Sequence, residues 1–214
     1  MFERQYSPLD RVIMDFDQLI GGVSTGKQTV LRQNPGETSS PGRLTEQSRQ
    51  VSSGLMRVNH AGEVSAQALY HAQALTARSP GVKKAMQQAA EEEIDHLEWC
   101  DQRLKELNSR PSYLNPLWYA GSFGIGLVAG LLGDRWSLGF VAETERQVVA
   151  HLESHLEYLP ETDARSRAIL EQMKEDEAEH ASMATHSGAA ELPLSVRKIM
   201  TLCSRIMTTT AYWI

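Results

Sequence analysis

Cysteine is almost absent from this chain of 214 residues: only Cys100 and Cys203 occur, far apart. That excludes a disulfide framework and any cysteine-rich metal site, and a reducing, cytoplasmic setting is expected. Strand signals are missing too, with no Asn-Gly or Asp-Gly hairpin dipeptide and no sustained apolar/polar alternation. Basic charge is in deficit, 21 Lys and Arg against 27 Asp and Glu for a net −6, so the footprint of a nucleic-acid binder is lacking. Near the start, Glu3, Asp10, Asp15 and Asp17 interrupt any apolar signal segment and do not suit a transit peptide. At 41% apolar the chain is neither a disordered nor an all-membrane protein.

What remains reads as helix. Ser7-Pro8-Leu9-Asp10 is a helix start, and Leu9, Val12, Ile13, Phe16, Leu19 and Ile20 follow helical spacing up to Gly21-Gly22. Asn34 to Gly42 has linker composition, giving an N-terminal segment 1–42 and a main domain 43–214. Within the latter, helices are expected from Ser52 or Ser53 to Ala77, Val82 to Leu107, Leu138 to Leu159, Asp163 to His186 and Leu194 to Ile214. Between the second and third lies Leu114–Gly133, twenty residues without a charge. Two readings are open: a segment dipping into one bilayer leaflet, which is preferred, or a crossover packed on protein. Gly126 and Gly130, four apart, hint at close helix packing, between subunits being one form of it.

The chemistry resides in two similar hexapeptides, Glu91–His96 and Glu175–His180, each ending in Glu-x-x-His. Residues three apart on a helix lie about 60° apart around the axis and one turn along it, so both side chains can reach one metal ion. Glu63 precedes Glu93 by thirty residues and Glu145 precedes Glu177 by thirty-two, so helix-with-Glu and helix-with-ExxH occur twice in the same order. That is the ligand arrangement of a di-iron or di-manganese carboxylate four-helix bundle. Each ligand also falls on an apolar stripe (Glu93 beside Met86, Ala89 and Cys100, for example), where an ionised carboxylate is costly unless a cation pairs with it. Glu91, Glu92, Asp95, Glu175, Asp176 and Glu179 read mostly as solvated faces, one or two of them supporting the histidines. The expected fold is therefore all-α, a ferritin-like four-helix bundle with a long crossover between helices two and three and extra N- and C-terminal helices.

Asn59-His60-Ala61-Gly62-Glu63, both ExxH motifs and Ala142–His151 together resemble the demethoxyubiquinone hydroxylases of the Coq7 family, over roughly residues 50 to 214. The resemblance places the family's metal ligands on Glu63, Glu93, His96, Glu145, Glu177 and His180, the six that spacing selects. It implies two iron ions and hydroxylation of a polyprenylated methoxy-benzoquinol by O2 in ubiquinone biosynthesis, with NADH or the quinol as electron donor. His151 matches a histidine that the family keeps beside the site; a core histidine with a local hydrogen bond is the other reading. Where some members next carry Tyr, this chain has Leu152, so a redox relay through that position does not carry over. A long-tailed substrate implies a peripheral enzyme on the cytoplasmic side of the inner membrane. The last helix, with Arg197, Lys198 and Arg205 beside its apolar stripe, suits an anionic surface or else caps the bundle. A homo-oligomer and contacts with other ubiquinone-biosynthesis proteins are further expectations; the N-terminal helix is a clamp on the bundle or a partner-binding arm. The competing classes are a rubrerythrin-like oxidase or peroxidase and a ferritin-like metal-binding protein.

Overall fold

A computed structural model describes residues 31–214; the helix expected over residues 9–20 lies outside them. Six α-helices follow a short 3-10 turn at Pro35–Thr38: α1 (Glu46–Thr76), α2 (Pro80–Glu106), α3 (Asn115–Leu131), α4 (Asp134–Tyr158), α5 (Ala164–His186) and α6 (Leu194–Trp213). No strand occurs among the described residues. Helices α1, α2, α4 and α5 form the ferritin-like bundle.

Several helix starts lie upstream of the first apolar repeat, because caps rather than periodicity set them. Thr45 accepts from the Ser48 amide, and α1 begins six residues before Ser52. Pro80 sits in the first turn of α2, where its missing N–H costs nothing. The start of α2 is capped from a distance: Asp134 accepts from the Arg78 and Ser79 amides at 2.9 and 2.7 Å. This ties α2 to the beginning of α4. Gly188, at φ 96°, closes α5 as its position in the sequence suggests. At the other end of the bundle, Arg103 of α2 donates to Ser166 and Asp163 at 2.8 Å each and fixes the start of α5.

The charge-free segment is α3, 17 residues long, about 25 Å at 1.5 Å per residue, against a ~30 Å hydrocarbon core. No helix among the described residues is long and apolar enough to cross a membrane. One face of α3 packs on α1. A Cβ at Gly126 would stand 2.8 Å from the Leu69 carbonyl, and one at Gly130 would overlap Thr76. The glycine pair therefore serves close helix packing, as expected of it, and does so within the chain. The opposite face leaves Leu117, Ile125, Val128, Leu131 and Leu132 exposed.

Two apolar clusters fill the bundle. Met56, Trp99, Leu104, Leu152 and Met173 belong to one, and Tyr70, Met86, Leu138, Val141 and Ala184 to the other. Along every one of the four helices the ligand glutamate falls between the two clusters. The polar layer is thus enclosed above and below by core.

Candidate metal centre

Glu63 comes from α1, Glu93 and His96 from α2, Glu145 from α4, and Glu177 and His180 from α5. None of the six is more than 6% exposed. His96 Nδ1 lies 3.2 Å from Glu177 Oε1, 3.3 Å from Glu93 Oε2 and 3.4 Å from Glu63 Oε2. One potential ligand atom from each of these four residues falls within 4.8 Å of the others, a grouping able to hold a metal ion. His180 Nδ1 stands 3.1 Å from Glu177 Oε2 and 3.9 Å from Glu93 Oε1. Glu145 lies against Glu177 and accepts a 2.5 Å hydrogen bond from Tyr70.

The polar atoms at the centre lack hydrogen-bond partners. Glu63 Oε2, both Glu93 oxygens, His96 Nδ1, Glu145 Oε2 and Glu177 Oε1 are all buried and unsatisfied. Unpaired buried groups of this kind are rare, because each forfeits its hydration without compensation. Here they converge. The electrostatics express the same deficit of positive charge. Burial and the neighbouring Glu177 and Glu63 carboxylates push Glu93 well above the usual carboxylate range, and burial with Glu177 does the same to Glu145. Burial also acts to raise Glu177, but the hydrogen bond with His180 and the charge of His96 pull it down to about 2. His180 is opposed by burial yet lifted to about 11 by Glu177 and Glu92. A cation between these groups would offset the mutual repulsion of the carboxylates. Four carboxylates with two imidazoles fit iron or manganese better than zinc.

The acids flanking the ligands divide by role. Glu91, Glu175 and Glu179 are exposed, as expected of solvated faces. Asp176 bonds His96 Nε2 at 2.9 Å, and Glu92 bonds His180 Nε2 at 2.6 Å. Each acid immediately precedes a ligand glutamate, so each ExxH orients the histidine of the other. Asp95 is buried and accepts from the Leu31 amide and from Arg32. Sequence reasoning missed Arg32, in a region of turn composition. It also missed Tyr70, although two helical turns after Glu63 place it on the same face.

His151 lines an apolar cavity of about 570 Å³ bounded by α1, α3, α4 and α6, with Glu63 in its wall. Burial lowers the His151 pKa, and its buried Nε2 has no hydrogen-bond partner. Its ring rests on His155 at 3.8 Å, and His155 is held by Asn59 at 2.8 Å. Leu117 and Ile125 of α3 and Ile199 of α6 line the cavity and are also exposed, so it reaches the surface between those helices. On α6, Lys198 and Arg205 are exposed, whereas Arg197 is engaged by Glu191 and the Leu192 carbonyl.

Residues 50–211 match the family model described as ubiquinone biosynthesis protein COQ7. The chain is 56% identical over 211 residues to the 3-demethoxyubiquinol 3-hydroxylase of Nitrosococcus oceani, covering 99% of each. It is 55% identical to the enzyme of that name from Acinetobacter baumannii, covering 99% of this chain and 100% of the relative. With the Polynucleobacter asymbioticus enzyme it shares 54% over 207 residues, 96% of this chain and 99% of the relative. With its buried Glu/His cluster, its bundle and its full-length likeness to these enzymes, the chain belongs to the COQ7 family.

Proposed function

We infer that the protein is a 3-demethoxyubiquinol 3-hydroxylase, an oxidoreductase of ubiquinone biosynthesis. One observation carries this reading: Glu63 belongs both to the buried cluster and to the wall of an apolar cavity open between α3 and α6. In the reaction a ring C–H becomes C–OH with one atom of O2. The second oxygen atom leaves as water after taking up two protons and two electrons, supplied by NADH or by the quinol.

Glu63, Glu93, His96, Glu145, Glu177 and His180 would hold two iron ions, which supply dioxygen activation when bound. Asp176 and Glu92 fix the imidazoles so that each keeps Nδ1 toward the carboxylates. Tyr70 holds Glu145 in one rotamer. A quinol ring entering the cavity meets Glu63 and His151. Leu69, Val148, Leu152 and Met200 exclude water around the ring.

The polyprenyl tail leaves between α3 and α6. Both helices expose apolar side chains there, including Leu117, Val128, Leu202 and Ile206, and such a surface needs lipid or a partner to cover it. We assign it to peripheral docking on a membrane, with Lys198 and Arg205 toward anionic headgroups. The test is expression in a strain lacking the demethoxyubiquinone hydroxylation step, wild type beside Glu177→Ala, with quinones assayed. Restored ubiquinone for wild type and accumulated demethoxy precursor for the variant is the expected result. Failure of the wild type, with iron bound and the protein at the membrane, would remove the quinol assignment and leave the metal centre.

A further inference from the structure

The two histidines of the cluster differ on their outer sides. Behind His96, Asp176 does not act alone. Arg32 Nη1 lies 2.8 Å from Asp176 Oδ2, Arg32 Nε 3.0 Å from Asp95 Oδ2, and Arg32 Nη2 3.3 Å from His96 Nε2. One guanidinium thus joins a carboxylate of α2 to a carboxylate of α5 across the edge of the imidazole. It also stands 4.9 Å over the Trp99 ring, a partner whose π face favours a cation.

The segment that delivers it is strapped down on both sides. The Leu31 amide donates to Asp95 at 2.8 Å. Asn34 donates to Gln102 at 2.9 Å and accepts from the Gly36 amide at 2.8 Å. A Cβ at Gly36 would approach Ile169 and the Arg165 carbonyl at 3.1 and 3.2 Å, so this turn lies directly on α5.

Behind His180 there is no counterpart among the described residues. Glu92 is hydrogen-bonded by Gln88 at 3.0 Å, feels Arg32 only through its charge, and among the described residues makes no ion pair other than with His180. Glu179, the residue matching Asp95 in the second motif, is exposed and makes no ion pair among the described residues. The repeat supplies two histidine–carboxylate pairs, and the strap reinforces one.

We propose that Arg32 is a positioning residue that makes the two metal positions inequivalent, closing the ligand set around His96 before metal arrives and leaving the His180 position weaker and more exchangeable. The physical reason is preorganisation. The planar fork holds Asp95 and Asp176 at a fixed separation, which fixes the His96 ring and the distance between α2 and α5 at that level. Losing an outer partner of a ligating histidine typically costs about 10- to 100-fold in metal affinity.

The proposal rests on the metal reading above, and the experiment separates the two. Full-length protein freed of metal is titrated anaerobically with ferrous iron as wild type, Arg32→Met, Arg32→Lys and Gln102→Ala, and 57Fe Mössbauer spectra are recorded at one and two equivalents. Met retains the stem against Trp99 and removes the fork; Lys retains the charge without bridging both carboxylates. Wild type is expected to bind in two separated steps with two distinct signals. Arg32→Met should weaken the tighter step by about 10- to 100-fold so that the steps merge, with the weaker step unchanged. Arg32→Lys should lie between, and Gln102→Ala, which loosens the strap beyond Arg32, should resemble wild type. Equal weakening of both steps, or a wild-type profile for Arg32→Met, would overturn the proposal while the metal reading stands. Wild type that binds no iron would overturn the metal reading itself.

Discussion

The halves of the internal repeat, α1–α2 and α4–α5, carry the same ligands in the same order but are not equally enclosed. In the first half His96 is fully buried, and its acid, Asp176, is 13% exposed and held by Arg32. In the second, the acid on His180 is Glu92, 34% exposed and without a guanidinium bonded to it among the described residues. The helpers also cross over: Asp176 and Tyr70 each serve a ligand of the opposite half. Neither half can build its own site, so the repeat accounts for the ligands and the docking of the halves for their orientation. The inequivalence comes from a third source, the strap at residues 31–38.

The largest expected effect removes what the halves share. Glu93→Ala or Glu177→Ala should lower hydroxylation by about a thousandfold or more, the scale of losing an essential group of a catalytic unit. Glu93→Ala should also raise the thermal midpoint of metal-free protein, because it removes a buried carboxylate crowded by Glu177 and Glu63, whereas Glu177→Ala, which strips His180 and His96 of their counter-charge, should lower it. Iron analysis and melting curves with and without metal check both parts. A lower midpoint for metal-free Glu93→Ala would mean that this carboxylate, too, holds the bundle together without a cation.

A second test asks where the halves are alike. Each contributes a buried histidine hydrogen-bonded to an asparagine: His60 with Asn115, and His155 with Asn59. Burial lowers His60 to about 4 and His155 to about 3, the latter helped by His151. Their unfolded value is near 6.5, so between there and the folded values the unfolded chain binds more protons. Stability contributed by keeping them neutral is therefore complete above about pH 6.5 and lost as pH falls toward 4 and 3, on the order of 3 kcal/mol for His60 and about 5 kcal/mol for His155. Urea unfolding of metal-free protein at pH 7 and pH 5 should show a smaller drop in His155→Asn than in wild type. Equal drops would remove His155 from the account.

How much of this the sequence reveals depends on what fixes each feature. The six candidate ligands are legible because a metal pair demands acids and imidazoles at helical spacing on apolar stripes, and few other functions do. The starts of α1 and α4 are less legible, since Thr45 and Gly133 lie ahead of the apolar repeat. Hydropathy marks α3 as needing cover without saying what covers each face; only the approach of Gly126 and Gly130 to α1 reveals that one side is intramolecular. Arg32 is invisible to pattern reasoning. Its partners Asp95 and Asp176 lie 63 and 144 positions away, and nothing local in a turn-rich stretch announces a contact of that range.

The comparison sharpens further when the two outer acids are exchanged for their amides one at a time. Asp176→Asn should cost more metal affinity than Glu92→Gln, about 10- to 100-fold against a few-fold. It disturbs the bridged His96 position and orphans part of Arg32, whereas water can take the place of the half-exposed Glu92. Isothermal titration with ferrous iron checks the order. Equal losses would show that the strap adds nothing to the first half.

The smallest expected effect concerns the cavity proposed to receive the substrate, with Glu63 on one wall and His151 on another. Gly121 of α3 lines this cavity, and a Cβ there would meet nothing within 4 Å. Gly121→Leu therefore fills part of the cavity without clashing with the bundle, and an alanine-like helix propensity offsets part of any packing cost. Iron binding and melting should be unchanged, while KM for a quinol rises about tenfold, the scale of ~1.4 kcal/mol lost from a crowded apolar pocket. A shortened-tail quinol should suffer less than a long-tailed one, because the tail, not the ring, passes between α3 and α6. If both suffer equally, the ring itself lies against Gly121 and the tail takes another exit. That outcome would move the membrane-facing surface away from α3 while leaving the carboxylate cluster where it is.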